Sequence, residues 1–342
     1  MQTANPRPSL LPLAAVSVTV LLWASAFVAI RHVGHDLQPG ALSLGRLLVG
    51  SVVLGVVVLI RRGSDDRSAG AKGWPVGGGA WFRLIVCGVL WFGLYNVALN
   101  AAEQRIDAGT AAMLVNIGPI LIAILAGLTL GERFTSMFVG GAAIAFAGVV
   151  VIGVATSHEH TTDVWGVVLC LVAAIAYAIS VVTQKPLLAS VSALRVTWLA
   201  CTIGAVVCLP FAGQLVSELR TASAQTIWLL IYLGALPTAL AFTTWAYALA
   251  RTAAGKLGVT TYLVPPIAIL MGWAFLGETP VGLAYAGGVL CLVGVAVARR
   301  QGPKTPIEPP LPADHPALSD QAASSDQAAS SGSKQTSEQA TA

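Results

Sequence analysis

Ten apolar runs of about 20 residues constrain this chain more than any other feature of its sequence. A helix of about 20 apolar residues crosses the hydrocarbon core of a bilayer. Most connections between the runs are only a few residues long, so no soluble domain fits between them. The runs lie at 10–30, 40–60, 82–101, 108–128, 136–154, 164–184, 194–212, 226–248, 256–276 and 281–298.

The composition agrees with an integral membrane protein. Of the 342 residues, 56% are hydrophobic and only 10% are charged, whereas about 25% are charged in an ordinary soluble domain. The basic residues are scattered over the loops and form no stripe, which excludes a nucleic-acid partner. We therefore expect an all-α integral membrane fold with ten transmembrane helices and the lipid bilayer around it.

The Lys and Arg residues are distributed unequally between the two sets of loops. Of these 19 residues, fifteen lie in the termini and alternate loops, and only Arg31, Arg105 and Arg220 fall in the opposite set, while Arg46 lies within the second span and is not counted. Loops rich in Lys and Arg stay in the cytoplasm. The distribution predicts a multi-pass protein of the plasma membrane with both termini cytoplasmic. Residues 1–9 would form the N-terminal segment, and the polar residues 300–342 a disordered tail.

The two halves of the chain repeat each other. A shift of 146 residues places Arg105 on Arg251, Pro119 on Pro265, and Leu130-Gly131-Glu132 on Leu276-Gly277-Glu278. A shift of 154 residues places Trp23 on Tyr177. Each copy contains five spans, an odd number, so the second copy must enter the membrane from the opposite side. We expect two inverted five-helix repeats, at 10–154 and 164–299, an architecture typical of secondary transporters.

Several short motifs occur in a specific order along the chain. They are Trp23-Ala24-Ser25 in the first span, Pro39 followed by Gly45-Arg46 in the second, and Pro119 and Pro265, each followed by a Gly-Glu pair. With these motifs, residues 10–300 resemble the EamA-type members of the drug/metabolite transporter superfamily. Members of that family often carry Gly beside the tryptophan, whereas this chain has Ala24-Ser25, a difference that concerns local helix packing. The resemblance implies export of small metabolites through a central cavity lined by spans other than the fifth and tenth.

Polar side chains inside the third span are candidates for the substrate pathway, because polar groups in hydrocarbon need a cavity or a partner. Asn96, Asn100 and Glu103 stand at i, i+4 and i+7 and therefore share one helical face. Two amides and a carboxylate could bind a polar solute, with interhelical hydrogen bonding as the alternative. Glu103 is the first candidate for proton coupling, and an ion pair with Arg105 is its alternative role.

Aromatic residues occupy matching places in the first and sixth spans. Trp23 and Tyr177 have small hydroxyl residues near them, Ser25 and Ser180. This combination suits recognition of a flat or partly apolar solute. An aromatic belt at the membrane interface is the alternative, although both residues lie more than ten positions from the start of their span. Trp245 and Tyr247 of the eighth span are weaker candidates, since only one of them can face a lumen.

Two proline positions mark a second candidate locus. Asn116 stands three residues before Pro119, and Tyr262 three residues before Pro265. A proline inside a helix removes a backbone donor and leaves a carbonyl free. Free carbonyls and a kink in both halves would suit a substrate site, and a kink that serves packing alone is the alternative.

Three charged residues have competing roles. Arg46, inside the second span, could clamp a substrate carboxylate, or it could tie helices together or reach the interface. Glu132 and Glu278 follow Gly at a span boundary. We expect each to open the next helix, where a carboxylate meets the positive end of the helix dipole.

No cofactor or metal is expected. The chain lacks a GxxxxGK[ST] phosphate loop, so ATP is not its direct energy source. The five cysteines lie inside apolar runs and are interpreted as small buried hydrophobes. His158 and His160 are interpreted as part of a solvated loop, with weak metal binding as the alternative.

The sequence therefore predicts a non-enzymatic secondary transporter, monomeric or homodimeric, that exports a small-molecule substrate by alternating access. Amino acids or related compounds are the leading substrate class. A sugar or nucleotide-sugar carrier of the same superfamily is the alternative, although a phosphate would need several cavity Lys or Arg and only Arg46 qualifies. An integral-membrane transferase is the alternative from another class, and it would need acid, base or metal groups converging at an interface.

Overall fold

The regular elements of the protein are helical throughout the residues that the computed structural model describes, which are 10–65, 73–105, 114–156, 163–276 and 282–300. An isolated bridge between Gly73 and Val191 is the one extended pairing among them. The helical rods are α1 (Leu11–Val33), α2 (Pro39–Asp65), α3 (78–103), α4 (Gly118–Leu130), α5 (Ser136–Thr156), α6 (Val164–Ser190), α7 (193–219), α8 (224–249), α9 (254–276) and α10 (Gly282–Arg299).

Four of the rods consist of joined segments. α3 contains Gly78–Cys87, a π-helical segment Gly88–Tyr95, and Asn96–Glu103. α7 contains Ala193–Val207, a short 3-10 turn Leu209–Phe211 and Ala212–Leu219, with a bend of 54° at the break. α8 contains Ala224–Leu233, a second π-helical segment Gly234–Leu240, and Ala241–Leu249. α9 contains Ala254–Val259, a 3-10 turn Thr260–Leu263 and Val264–Leu276.

The rods confirm a multi-pass, all-α membrane fold. Within the described residues, 8 helices are long and apolar enough to cross a membrane, and α7 makes a ninth if its two arms form one span. α4 has only 13 helical residues, and the first residues of the predicted fourth span, 108–113, lie outside the described residues. The count of ten spans therefore stays a prediction.

The outer surface of the bundle carries large apolar side chains. Leu128 is 79% exposed, Phe275 76% and Trp228 70%. Large apolar side chains exposed in this number are unfavourable in water. It is the surface that lipid chains cover.

Helices α5 and α10 pack against each other through small residues. A Cβ at Gly141 would lie 2.7 Å from the carbonyl oxygen of Gly294, and a Cβ at Gly148 would lie 2.6 Å from that of Gly287. Phe138, Val149 and Cys291 of these helices belong to a separate core cluster, which also contains Val259 and Tyr262 of α9. Backbones can approach this closely only where both faces lack side chains.

The π-helical segments of α3 and α8 also begin at glycines in close contact. A Cβ at Gly88 would lie 2.7 Å from Cβ of Ile203 in α7, and a Cβ at Gly234 would lie 2.5 Å from Cβ of Val49 in α2. The shift of 146 residues places Gly88 on Gly234, and the shift of 154 residues places Val49 on Ile203. The two contacts are therefore at equivalent positions in the two halves. Each π-segment therefore packs on a helix of the opposite half.

Neither Pro119 nor Pro265 kinks a continuous helix, contrary to the sequence expectation. α4 begins at Gly118 after a turn at 116–117, so Pro119 lies in its first turn. Pro265 likewise is the second residue of Val264–Leu276, after the 3-10 turn. A first-turn residue needs no intrahelical donor, and proline is tolerated there. In each half the helix breaks just before the proline.

The loops and helix termini collect at two ends of the bundle. We call one the Arg105 end, where Arg105 pairs with Asp163 at 3.0 Å and the backbone N–H of Gln38 donates to Glu218 Oε2 at 3.0 Å. We call the other the Lys185 end, where Lys185 Nζ lies 3.6 Å from Glu132 Oε1.

Candidate functional site

An aromatic cluster fills the centre of the bundle. It consists of Trp23 of α1, Trp91 of α3, Tyr177 of α6, and Phe242 and Trp245 of α8. The ring centroids are 5.1 Å apart for Trp23 and Trp245, 5.2 Å for Trp91 and Tyr177, and 4.9 Å for Trp91 and Phe242. Tilted and edge-to-face pairs of this kind are the favoured arrangement of aromatic rings. The cluster joins both halves of the chain.

Local backbone features position these rings. A Cβ at Gly118 would lie 2.7 Å from Cδ1 of Tyr177, so the glycine admits the ring against the start of α4. Trp91 lies in the π-segment of α3. There the side-chain amide of Asn96 donates to the carbonyl oxygens of Trp91 at 3.1 Å and Phe92 at 2.9 Å. Asn96 thus satisfies carbonyls of the widened turn, and π-segments are frequent at functional sites.

Three members of the cluster carry buried polar atoms without a hydrogen bond. Trp23 Nε1, Trp245 Nε1 and the Tyr177 hydroxyl have no partner among the described residues. Thr261 is a polar neighbour of Tyr177, but the two hydroxyls are not in hydrogen-bond geometry. An unpaired buried polar group costs about 1–3 kcal/mol. Two N–H donors and a hydroxyl within an aromatic enclosure suit a small solute that carries acceptor oxygens.

A polar stripe continues from the cluster along α6. Tyr177, Ser180 and Gln184 stand at i, i+3 and i+7 on one face, and all three are buried. Ser180 Oγ and Gln184 Oε1 also lack a partner within the described part of the chain. We call these three residues the α6 polar stripe. Gln184 was missed from the sequence, although its spacing from Tyr177 and Ser180 would have placed it on the same face.

Several predicted site residues take part in helix–helix hydrogen bonds. Asn100 Nδ2 donates to Ser43 Oγ at 3.1 Å, which joins α3 to α2. Arg46 is buried, and its Nε donates to Thr238 Oγ1 at 3.1 Å in the π-segment of α8. The hydroxyls of Ser25 and Tyr232 lie 2.6 Å apart. These contacts agree with the structural alternative for Asn100 and Arg46.

Other predicted positions belong to other parts of the structure or lie outside the described residues. The ring of Tyr262 packs 6.3 Å from that of Phe146, in the core shared by α5 and α10. Asn116 is half-buried in the turn before α4. The Glu103 side chain, Glu278, His158 and His160 lie outside the described residues.

The two aromatic candidates of α8 have different surroundings. Trp245 is buried in the cluster. Tyr247 lies beneath the guanidinium of Arg251, with 3.6 Å between Cζ and the ring centroid. Trp245 is therefore the member of this pair that faces the interior.

Glu132 caps a different helix from the one that the sequence suggested. Its carboxylate accepts hydrogen bonds from the backbone N–H groups of Ala254 at 2.6 Å and Gly255 at 3.0 Å, at the start of α9. The expected role at the start of α5 is wrong for Glu132, because the close approach of α9 offers two unpaired N–H groups. A carboxylate at this position is also stabilised by the helix dipole.

A cavity of about 710 Å³ opens at the Arg105 end. Its lining includes Gln38, Val97, Gln104, Arg105, Asp163 and Gln214. Val97 and Ala101 border it, so the cavity contacts a different face of α3 from the one that carries Asn96 and Asn100. The Trp165 backbone N–H and the Arg105 guanidinium, which both donate to Asp163, hold the pKa of this carboxyl below its ordinary value.

The cysteines are buried free thiols, as predicted. Within the described residues, no group of three or more His, Cys, Asp or Glu side chains could hold a metal ion.

The family model of EamA-like transporters matches residues 10–154 and 164–300. The chain therefore belongs to the EamA-like transporter family, of the drug/metabolite transporter type, as its motifs indicated.

Curated relatives match most of the chain. A protein of Streptantibioticus cattleyicolor named "probable terminal-alkyne amino-acid exporter" is 37% identical, over 84% of this chain and 93% of its own. The uncharacterized transporter YdfC of Bacillus subtilis is 29% identical, over 82% and 88%. A "probable amino-acid metabolite efflux pump" of Salmonella typhimurium is 25% identical, over 60% and 72%.

A chain solved by crystallography shares the fold. It superposes with a TM-score of 0.67 at 21% sequence identity, over 84% of this chain and 96% of the solved chain.

Proposed function

We propose that this protein is a secondary exporter of amino acids or related small compounds, and that it works by alternating access. The observation that carries the proposal is the aromatic cluster, in which polar atoms of Trp23, Trp245 and Tyr177 have no hydrogen-bond partner among the described residues. Aromatic rings would hold an apolar side chain, and the donors would bind carboxylate oxygens. Two relatives carry names of amino-acid or amino-acid-metabolite exporters, which supports the same substrate class.

The proposed architecture is ten spans in two inverted repeats, 10–154 and 164–299. The family model matches one segment in each half, which supports it. The paired contacts of Gly88 with Ile203 and Gly234 with Val49 support it as well, because the sequence shifts relate these positions. Both termini and the Lys185 end would face the cytoplasm, as the distribution of Lys and Arg indicates. The Arg105 end would then face outwards.

The substrate class can be tested by flux into inverted membrane vesicles that contain the protein. We expect radiolabelled apolar or aromatic amino acids to accumulate in vesicles with the protein and not in vesicles without it. Binding can be measured independently as a rise in Tm in detergent, because a ligand stabilises the state that it fits. Absence of both flux and binding across a panel of amino acids would contradict the proposal.

The same flux assay distinguishes an amino-acid exporter from the alternative, a sugar or nucleotide-sugar carrier. Beyond the first two residues of each predicted span, Arg46 is the only Lys or Arg, and in the structure it binds Thr238. A diphosphate group would have few cationic partners there. Exchange of a nucleotide sugar without amino-acid flux would establish that alternative.

Whether protons drive transport is tested by adding a protonophore to the same vesicles.

A further inference from the structure

The interface that carries the α6 polar stripe is closed at the Lys185 end by a set of polar contacts. Glu132, in the loop after α4, binds two backbone N–H groups of α9 and lies 3.6 Å from Lys185 of α6. Lys185 Nζ in turn donates to the carbonyl oxygen of Leu249 at 3.4 Å and to that of Thr252, after the end of α8. We call this set of contacts the Glu132–Lys185 latch. It connects α4, α6, α8 and α9 at one point.

The latch is partly shielded from solvent. The Glu132 side chain is 10% exposed and that of Lys185 26%. The aromatic ring of Phe134 adds a packing contact, because a Cβ at Gly255 would lie 2.6 Å from its Cε1. Charge-assisted hydrogen bonds are stronger than neutral ones, and shielding from water preserves them.

The stripe leads from the aromatic cluster to this latch. Gln184 immediately precedes Lys185 in α6, and the seven residues from Tyr177 to Gln184 cover about 10 Å of helix. At the cluster end of the stripe, Tyr177 contacts Gly118 of α4 and Trp245 of α8, two of the helices that the latch joins to α6, besides Trp91 of α3. Within the described part of the chain, a row of unpaired polar atoms on α6 therefore extends from the centre of the bundle towards its Lys185 end.

Unpaired buried polar groups are costly in a closed interface and inexpensive in one that water or a solute fills. A second conformation, in which the helices part along the stripe, would give the Ser180 hydroxyl and the Gln184 Oε1 atom their partners. In the closed conformation, the ion pair and hydrogen bonds of the latch contribute free energy that offsets the hydrogen bonds missing along the stripe. Two conformations of similar free energy are what alternating access requires.

We infer that Tyr177, Ser180 and Gln184 line the cytoplasmic half of the substrate path, and that the Glu132–Lys185 latch closes this half in the present conformation. Gln184 is thereby a pathway residue, located one helical turn beyond Ser180. The inference rests on the proposed function and on the cytoplasmic position of the Lys185 end. It adds the residues of the entry route and the contacts that must break before a solute can enter.

The test measures the reactivity of Gln184→Cys with a membrane-impermeant maleimide added to the cytoplasmic face of inverted vesicles. The native cysteines are buried, and vesicles with the unsubstituted chain give the background. We expect slow labelling in Gln184→Cys and about tenfold faster labelling when Glu132→Gln is added. This change removes the ion pair with Lys185 and one of the two hydrogen bonds to backbone N–H groups, and the remaining bond is no longer charge-assisted. Lys185→Met should have the same effect. Ser180→Cys serves as a second reporter if Gln184→Cys does not insert.

Asp163→Asn is the matched control. It removes an ion pair of similar length, Arg105 to Asp163, at the opposite end of the bundle, so it should not accelerate labelling. Equal labelling with and without the latch, or the same acceleration by Asp163→Asn, would overturn the inference. Labelling requires no substrate. If labelling depends on the latch but no amino-acid flux is found, the proposed substrate class is contradicted. The role of the latch in closing the path is then still supported.

Discussion

Where α5 and α10 meet, the carbonyl oxygens of Gly148 and Gly287 each lie where a side chain on the other glycine would be placed. A Cβ on Gly148 would lie 2.6 Å from the Gly287 carbonyl oxygen, and a Cβ on Gly287 would lie 2.7 Å from the Gly148 carbonyl oxygen. Neither obstacle is a flexible side chain. The two backbones are therefore held at a separation that only glycine allows, and this pair of helices forms a rigid unit beside the central site.

The first prediction concerns this helix contact. Gly148→Ala should destabilise the protein by about 1–3 kcal/mol, because overpacking forces the backbones apart. The measurement is Tm in detergent. Gly140→Ala is the matched control, since it lies in the same helix with no atom within 4 Å of a Cβ. Equal melting temperatures for the two variants would contradict the close contact.

The second prediction concerns the donors of the aromatic cluster. Trp245→Phe keeps a ring but removes the unpaired Nε1–H. If that group binds a substrate oxygen, KM should rise about tenfold, which corresponds to about 1.4 kcal/mol. Trp228→Phe is the control in the same rod, because Trp228 is exposed on the outer surface. An unchanged KM in Trp245→Phe would remove this donor from the site.

The third prediction separates the two interpretations of Asn100. Its amide donates to Ser43 Oγ, so Asn100→Leu should lower stability by about 1 kcal/mol and leave KM unchanged. The double variant with Ser43→Ala should be less destabilised than the sum of the single variants, because both lose the same hydrogen bond. A raised KM with normal stability would instead favour the cavity role.

The fourth prediction concerns the pH dependence of the Arg105 end. Asp163 accepts hydrogen bonds from the Trp165 backbone N–H and from Arg105, which lower the pKa of its carboxyl from 3.8. A group with a lowered folded-state pKa stabilises the protein above its unfolded pKa, and this contribution is lost as the pH falls through the folded value. Asp163→Asn should therefore lower Tm at pH 7, and the difference should shrink below about pH 4.

The measurement is Tm of both proteins from pH 7 to the lowest pH at which they remain soluble. The side chain is partly exposed, so the difference should be small and should decrease in high salt. A constant difference across the pH range would show that the carboxylate charge is not its cause.

The sequence by itself determined the class of fold and the positions of most helices. Long apolar runs have one stable environment, and helix is the conformation that satisfies every backbone group there. The predicted fifth span, 136–154, corresponds to Ser136–Thr156, and the predicted sixth, 164–184, begins where α6 begins. The ordered motifs also identified the family. Trp23 and Tyr177 were selected from matching depths in two spans, and the structure brings both into the aromatic cluster.

Only the tertiary structure decided which polar groups are paired. The sequence shows only that three polar residues lie in or near hydrocarbon, namely Asn100, Arg46 and Glu132. In the structure each of them binds a partner on another helix. No distinctive local motif marks Trp245 or Gln184, yet Trp245 Nε1 and Gln184 Oε1 are buried without a partner among the described residues. The physical reason is that a hydrogen bond between distant segments depends on the crossing and rotation of helices. The hydropathy of one span specifies neither, since a lipid-facing and a cavity-facing stripe differ by only a rotation about the helix axis.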